Sequence, residues 1–354
     1  MLSAAEKQRY ARQISLPDIG VDGQLQLRDA SVLCIGAGGL GAPLLLYLTA
    51  AGVGKIGIVD ADVVEISNLQ RQLIFRMQDV GQSKALAAQT SLRQLNPFVQ
   101  FEVVTEKFTR KNAEQLMTSY DVIVDCTDQL ANRYLVNALC VQLGKPFVFA
   151  GVWQYRGQCM LFDAARGPCF NCLFPQNKTE VSLPDCDTDG VLGVVPGMLG
   201  IMQASLILQY IIRDQVPVNE LLTLDVRNLE QKKYHIQRDP ACAVCGENKT
   251  MKIDVINTIT TTELKQDLTD GMQYTLLDVR SEAEHNEFNI GGLHIPLDEL
   301  PERAHEVPAD LPVIIYCRSG KRSAAGVQIL QACGYTTVFN LEGGMVSWQA
   351  CGTM

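Results

Sequence analysis

VLCIGAGGLGAP, residues Val32–Pro43, changes character halfway along. Four apolar residues, Val32–Ile35, run into Gly36, Gly38, Gly39 and Gly41, and an apolar helix-like stretch follows. In a strand–turn–helix unit, glycines permit the tight turn and let backbone N–H groups approach phosphate at a helix N-terminus. A second apolar run, Ile56–Val59, ends in Asp60, a carboxylate placed to accept hydrogen bonds from a ribose. These features alone describe a nucleotide site and nothing narrower. SNLQRQ at Ser67–Gln72, followed by Lys84, narrows it: Asn68, Arg71 and Lys84 supply donors and cations suited to a triphosphate. A nicotinamide dinucleotide needs fewer.

Working outward, apolar runs recur at Phe101–Val104, Val122–Val124 and Phe147–Phe149, separated by helical stretches such as Pro43–Ala51 and Asn132–Leu143. That rhythm predicts an α/β fold of parallel βαβ units in a doubly wound sheet. Asp128, closing the run VIVDCTD, falls at the carboxyl edge of that sheet, where such folds bind ligands. Val191–Ile212 is long and apolar enough to suggest a membrane span. Its internal Pro196, Gln203 and Gln209 favour a buried helix instead. Beyond a polar stretch, Gly246–Lys252, the pattern restarts: TLLDVRS reads as a strand, PVIIYCRSGKRS as a strand running into a turn, Ala324–Cys333 as a helix and Thr337–Leu341 as a strand. The chain thus divides into a domain at 1–246, a linker at 247–253 and a smaller α/β domain at 254–354.

Composition bounds the function. With 354 residues, 47% hydrophobic and 19% charged, the chain is long enough for two packed cores. A net charge of −9 argues against nonspecific nucleic-acid binding. Met1–Tyr10 is polar and lacks the apolar centre of a secretory signal. Twelve cysteines without such a signal point to a reducing, cytoplasmic setting, where they serve as ligands, nucleophiles or core residues.

Two pairs, Cys169-x-x-Cys172 and Cys242-x-x-Cys245, share one gap. Scattered core cysteines or a redox pair are the plainer alternatives. Four thiolates at that spacing suit a closed, structural zinc site that staples distant segments together. Cys317 is the nucleophile candidate. It follows the strand PVIIY and opens the turn CRSGKRS, so loop amides, a helix start and Arg318, Lys321 and Arg322 all favour its thiolate. Strand–Cys-loop–helix units serve either phosphate-ester cleavage or sulfur transfer. Only four residues separate Cys317 from Arg322, a cradle better sized for a persulfide sulfur than for phosphate.

Cys186 lies in SLPDCDTDG, where Asp185, Asp187 and Asp189 disfavour its thiolate. A second working thiol and an incidental loop cysteine are both open readings there. The four histidines show no metal-ligand spacing, and Asp278 with Arg280 reads as an ion pair bracing a strand end.

Together RYARQ (Arg9–Gln13), GAGGLGAP, VDADVVEISNLQRQ, VGQSKA, DCTDQLANRYLVN and both cysteine pairs resemble the adenylyltransferases that activate ubiquitin-like sulfur carriers, relatives of ubiquitin-activating enzymes. LLDVRSEAEHNEFNIGGLHIPL and CRSGKRS resemble a rhodanese domain. The resemblance implies a Rossmann-like adenylation domain fused to a sulfurtransferase, using ATP, magnesium and zinc. It places the nucleotide on Gly39 and its neighbours and the ribose on Asp60. The phosphates fall to Asn68, Arg71 and Lys84, and magnesium to Asp128. Arg12 would reach the neighbouring subunit's ATP in a homodimer. Cys169, Cys172, Cys242 and Cys245 match zinc ligands, Cys317 the persulfide cysteine, and Cys186 a loop cysteine that bonds the carrier. The implied partners are a carrier ending in Gly-Gly and a sulfur donor, a cysteine desulfurase or thiosulfate, with no nucleic acid or membrane. Of the rival readings, a nicotinamide-dependent oxidoreductase leaves SNLQRQ, Lys84 and the second domain without purpose, and a non-catalytic carrier-binding scaffold has no need of Asp60, Arg71, Lys84, Asp128 and Cys317 together.

Overall fold

The computed structural model describes residues 1–175, 190–213, 216–247 and 257–351. They fall into two compact units, Met1–Met251 and Lys252–Met354.

The first unit is built on eight strands: β1 (Ser31–Ile35), β2 (Lys55–Val59), β3 (Gln100–Val104), β4 (Val122–Asp125), β5 (Phe147–Trp153), β6 (Arg156–Phe162), β7 (Glu220–Asp225) and β8 (Glu230–His235). Their order is β3-β2-β1-β4-β5-β6-β7-β8. From β3 to β5 neighbours run parallel, and from β5 to β8 antiparallel. β1, β2 and β4 are buried along nearly their whole length, which explains their apolar runs in the sequence, while edge strand β3 alternates, with Gln100 and Glu102 exposed. β8, EQKKYH, is exposed along its whole length, and its charges keep that edge from pairing further. The strand order reverses between β1 and β4, which opens a crevice at their carboxyl ends. The glycine turn follows β1 and Asp128 follows β4, so both borders of the crevice carry expected site residues.

Helix Val194–Arg213 packs on helix Gly41–Ala51 and on β5 and β6. Its buried face includes Val195, Leu199, Gln203 and Ile207, but Val194, Met198 and Ile201 are exposed. The expected burial therefore holds for one face only. Among the described residues it is the one helix long and apolar enough to cross a membrane, by length and composition. Gln203 explains its place in the apolar run: its amide donates to the Asp125 carbonyl at 3.2 Å, satisfying a buried strand end. Three N-terminal helices, Ala4–Arg9, Ala11–Ile14 and Gly20–Asp29, add contacts that the apolar pattern does not announce.

The second unit has a parallel sheet of β9 (Asn257–Ile259), β10 (Thr275–Asp278), β11 (Leu293–His294), β12 (Val313–Tyr316) and β13 (Val338–Leu341), ordered β11-β10-β12-β13-β9. Along β12, Val313 and Ile315 enter one core while Ile314 and Tyr316 enter the other, the two-residue alternation of a strand buried on both sides. Helix Lys321–Ala332 begins three residues earlier than its apolar pattern suggests, because Gly320, at φ +87°, turns the chain into it.

Candidate active sites and metal centre

At the crevice, Gly36 and Gly41 have different duties from Gly38. Gly36 sits at φ +96°, and a Cβ there would lie 2.9 Å from the Cys126 carbonyl oxygen. A Cβ on Gly41 would stand 2.1 Å from the Gly36 oxygen. Neither position admits a side chain. Gly38 meets only Gln72 Nε2, at 3.7 Å, so its backbone faces open space. That combination, a turn packed from below and bare above, suits a backbone cradle for phosphate.

The remaining residues are tied to this turn. Asp60 Oδ2 accepts from the Ala37 amide at 2.7 Å and Oδ1 from Asp62 at 2.9 Å. Burial nonetheless pushes the Asp60 carboxyl up from its ordinary range. Arg71 packs against Gly39, whose Cβ would be 3.5 Å from Arg71 Cγ, and its guanidinium donates to the Ser67 carbonyl. Lys84 is buried and its ammonium donates to Asp62 at 2.9 Å. Asn68 uses its side-chain oxygen to cap the turn at Glu65. Asp128 is exposed, two residues beyond the Cys126 that underlies Gly36. Gln72 Oε1 and Ser83 Oγ are buried polar atoms that pair with none of the described residues. Orphaned atoms beside a bare amide turn and a buried lysine fit a polar, polyanionic ligand such as ATP.

Arg12 is the exception. It is exposed, and its neighbour Gln13 bonds Ala51 at the last turn of helix Gly41–Ala51. Eleven helical residues put that end about 16 Å from the glycine turn. Within its own chain, Arg12 stands at the wrong end of the helix for the crevice.

Cys169, Cys172, Cys242 and Cys245 converge, with all four sulfurs within 4.8 Å of one another. The Cys169–Cys172, Cys169–Cys242 and Cys172–Cys245 sulfurs lie 3.9, 3.7 and 3.4 Å apart. A zinc ion with sulfur ligands at about 2.3 Å requires tetrahedral edges of about 3.8 Å, so the residues fit it. Two asparagines escaped sequence reasoning. Asn137 donates to Cys169 Sγ at 3.7 Å while its oxygen accepts from the Phe170 amide at 2.8 Å, and Asn171 donates to Cys242 Sγ at 3.6 Å. Amide donors of this kind orient and stabilise metal-bound thiolates. Asn171 had a signal, since it sits inside the Cys169–Cys172 pair. Asn137 had none.

Cys317 follows β12 and is 1% exposed, packed with Leu277, Ile315 and Val327. The sequence sets Cys317 among loop amides and three cations that favour its thiolate, and the structure qualifies that in two respects. The sulfur is inside, and Arg322 is gripped by Glu284, whose oxygens accept at 2.6 and 2.7 Å. Arg318 and Lys321 point to solvent. The Gly320 amide donates to Cys317 Sγ at 3.2 Å, and Ser323 Oγ lies 3.3 Å away. The loop therefore supports charge on sulfur through hydrogen bonds at close range. The Asp278–Arg280 pair is buried, with Arg280 donating at 2.6–3.1 Å, as a brace should be. His285 also bonds Asp278, at 2.9 Å, and stacks on His294 with ring centres 4.2 Å apart. Cys186 lies outside the described residues.

Comparison with known proteins agrees with this chemistry. The ThiF family profile matches residues 10–244 and the rhodanese-like domain profile residues 260–351. The chain is 36% identical over 368 residues to a probable adenylyltransferase/sulfurtransferase MoeZ of Mycobacterium tuberculosis, covering 98% of this chain and 94% of that protein. It is 36% identical over 395 residues to adenylyltransferase and sulfurtransferase MOCS3 of Sus scrofa, covering 99% and 87%. A sulfur carrier protein adenylyltransferase of Thermus thermophilus is 42% identical over 253 residues, covering 70% of this chain and 93% of that one. Among solved structures, Escherichia coli MccB with MccA-N7isoASN aligns with a TM-score of 0.60 at 22% identity, over 70% of this chain and 76% of that one, a likeness of fold. The chain belongs to the ThiF family, carries a rhodanese-like domain behind its ThiF unit, and is an adenylyltransferase and sulfurtransferase.

Proposed function

We propose that the two units run one reaction sequence on a ubiquitin-like sulfur-carrier protein ending in Gly-Gly, for molybdenum-cofactor, thiamine or tRNA-thiolation chemistry. The reading is supported by one observation: a glycine turn flanked by Arg71 and Lys84, and a strand–cysteine loop–helix with only four residues between Cys317 and Arg322, occur in the same chain. A carboxylate at neutral pH is a poor electrophile and must first be activated. An oxygen of the carrier's C-terminal carboxylate attacks the ATP α-phosphorus, the α–β anhydride bond breaks, and pyrophosphate leaves. Arg71 and Lys84 offset the charge that develops, with Lys84 exchanging Asp62 for phosphate. Asp128 is the residue that would hold magnesium, which supplies further charge neutralisation when bound.

Cys317 thiolate attacks the outer sulfur of thiosulfate, or of a cysteine desulfurase persulfide. The donor's sulfur–sulfur bond breaks, sulfite or the donor thiolate leaves, and Cys317 holds a persulfide. Its terminal sulfur attacks the acyl carbon of the adenylate and AMP leaves, forming an acyl disulfide. A second thiolate, assigned to Cys186, attacks the Cys317 sulfur and the carrier departs as thiocarboxylate. The disulfide that remains takes two electrons from an external thiol reductant.

The placement of Arg12 supports a homodimer, since a residue remote from its own crevice is free to serve another. Val194, Met198 and Ile201 are exposed on one helix, and Ile201 shares a groove with exposed Tyr47, which gives a second copy something to cover. Twelve cysteines, four of them gathered within 4.8 Å, suit a cytoplasmic, reducing setting, and a net charge of −9 suits a partner other than nucleic acid. The test is intact mass spectrometry of candidate carriers after incubation with the protein, ATP and thiosulfate. Exchange of one terminal oxygen for sulfur is expected; a carrier that is adenylated yet never gains sulfur overturns the coupling.

A further inference from the structure

Ser323, Asn340 and Cys317 form a closed polar cluster inside the second unit. They are 0%, 7% and 1% exposed. Ser323 Oγ lies 3.3 Å from Cys317 Sγ and 2.5 Å from Asn340 Oδ1. A hydroxyl has one proton, so it serves only one of these two acceptors at a time. Asn340 comes from β13, where it pairs with Ile315 two residues before the nucleophile. The turn is pressed against the end of the same strand: a Cβ on Gly320 would lie 3.3 Å from the Leu341 oxygen.

Resting on the assignment of Cys317 as the sulfur-bearing thiol, we propose that Asn340 is a positioning residue that steers the Ser323 hydroxyl, making Asn340–Ser323–Cys317 a relay that follows the charge on the sulfur. In the thiol state the S–H donates to Ser323 and Ser323 donates to the Asn340 oxygen. When the thiol proton passes to bulk solvent base and the sulfur becomes a thiolate, the hydroxyl turns its own proton to the sulfur. The Asn340 amide then makes a half turn and donates its N–H to the serine oxygen. An amide carries a donor and an acceptor on one fork, so the same residue satisfies both states. A carboxylate of identical shape accepts only, and holds the serine proton away from the sulfur.

Ser323→Ala and Asn340→Asp, made in the full chain, should each slow Cys317 alkylation by iodoacetamide about tenfold at neutral pH, with the gap closing at high pH. Cys317 is followed by peptide mass spectrometry, and sulfite release from thiosulfate should slow in parallel. Pyrophosphate exchange by the first unit should not change. The double variant should be no slower than the slower single variant, because both changes remove the same hydrogen bond. An Asn340→Asp effect that survives in full without the hydroxyl is a direct charge effect and overturns the relay, as do single-variant pH profiles that coincide with the parent. In the parent protein, loading Cys317 with sulfur should shift the Asn340 side-chain amide resonances; unmoved resonances count against the relay whatever the variants do. Failure of the Cys317 assignment looks different: Cys317→Ala would still release sulfite from thiosulfate.

Discussion

Glu284 accepts from both ends of the Arg322 guanidinium, at 2.7 and 2.6 Å, although these residues are thirty-eight positions apart. The pair holds the Glu284 carboxyl down to about 2, mainly through the hydrogen bonds from Arg322. It also occupies a guanidinium that belongs to the same loop as Cys317 and would otherwise be open to an incoming anion.

Neutralising the clamp should therefore speed uptake of a dianionic donor. Glu284→Gln should raise kcat/KM for thiosulfate about two- to fivefold, the scale of a partly exposed ion pair, and make the rate more sensitive to salt. An unchanged rate and salt slope would show that Arg322 does not meet the donor.

The same clamp gives the second unit an acid limit. A carboxyl held low contributes stability above its ordinary value of 4.5 and loses it as pH falls toward about 2. Thermal melts of the parent should fall through that window, and Glu284→Gln should flatten the fall. Solvent screening keeps the effect modest.

The fold was legible because parallel strands buried on both faces leave continuous apolar runs, as at Val32–Ile35 and Val122–Val124. The glycine turn and the two cysteine pairs were legible because each is a short-range spacing, and the meeting of the pairs across 73 positions followed from chemistry, since four thiols at matched gaps suit one tetrahedral ion. What escaped depends on chain segments meeting in space. Asn137 reaches Cys169 across 32 positions, and Glu284 reaches Arg322 across 38. The burial of Cys317 escaped for the opposite reason, because a polar turn beside it in sequence says nothing of the apolar residues packed over it.

Metal analysis should find one zinc per chain, and Cys242→Ser should lose it. Chelation should lower the melting temperature, since metal bound only by the folded state contributes folding free energy. Asn137→Ala should weaken zinc retention about tenfold without removing a ligand. A metal-free protein of unchanged stability would sink the assignment.

Asp128→Ala should abolish carrier-dependent pyrophosphate exchange and leave sulfur uptake by Cys317 intact. Arg12→Ala should also lose exchange. If Arg12 works in the partner's crevice, mixing the two inactive variants restores activity: random reassortment gives half mixed dimers with one whole site each, or about a quarter of parental sites. No recovery on mixing, with dimers shown to exchange, places Arg12 outside the reaction.

Cys317 and Cys186 should fail at different steps. Cys317 receives a hydrogen bond from the Gly320 amide and has the Ser323 hydroxyl 3.3 Å away, so its sulfur is prepared for charge before any carrier arrives. Cys186 stands among Asp185, Asp187 and Asp189, which disfavour its thiolate. It should react slowly until a bound acyl disulfide is brought to it, when a positioned electrophile offers a high effective concentration. Cys317→Ala should therefore block thiocarboxylate formation from a protein persulfide while adenylation continues. Cys186→Ala should spare both adenylation and persulfide loading, and the acyl disulfide should accumulate, visible by intact mass under non-reducing conditions. The trapped intermediate separates the two roles directly. If Cys186→Ala releases thiocarboxylate at the parental rate with no adduct, the second thiol lies elsewhere, and the acidic loop has no covalent part in the reaction.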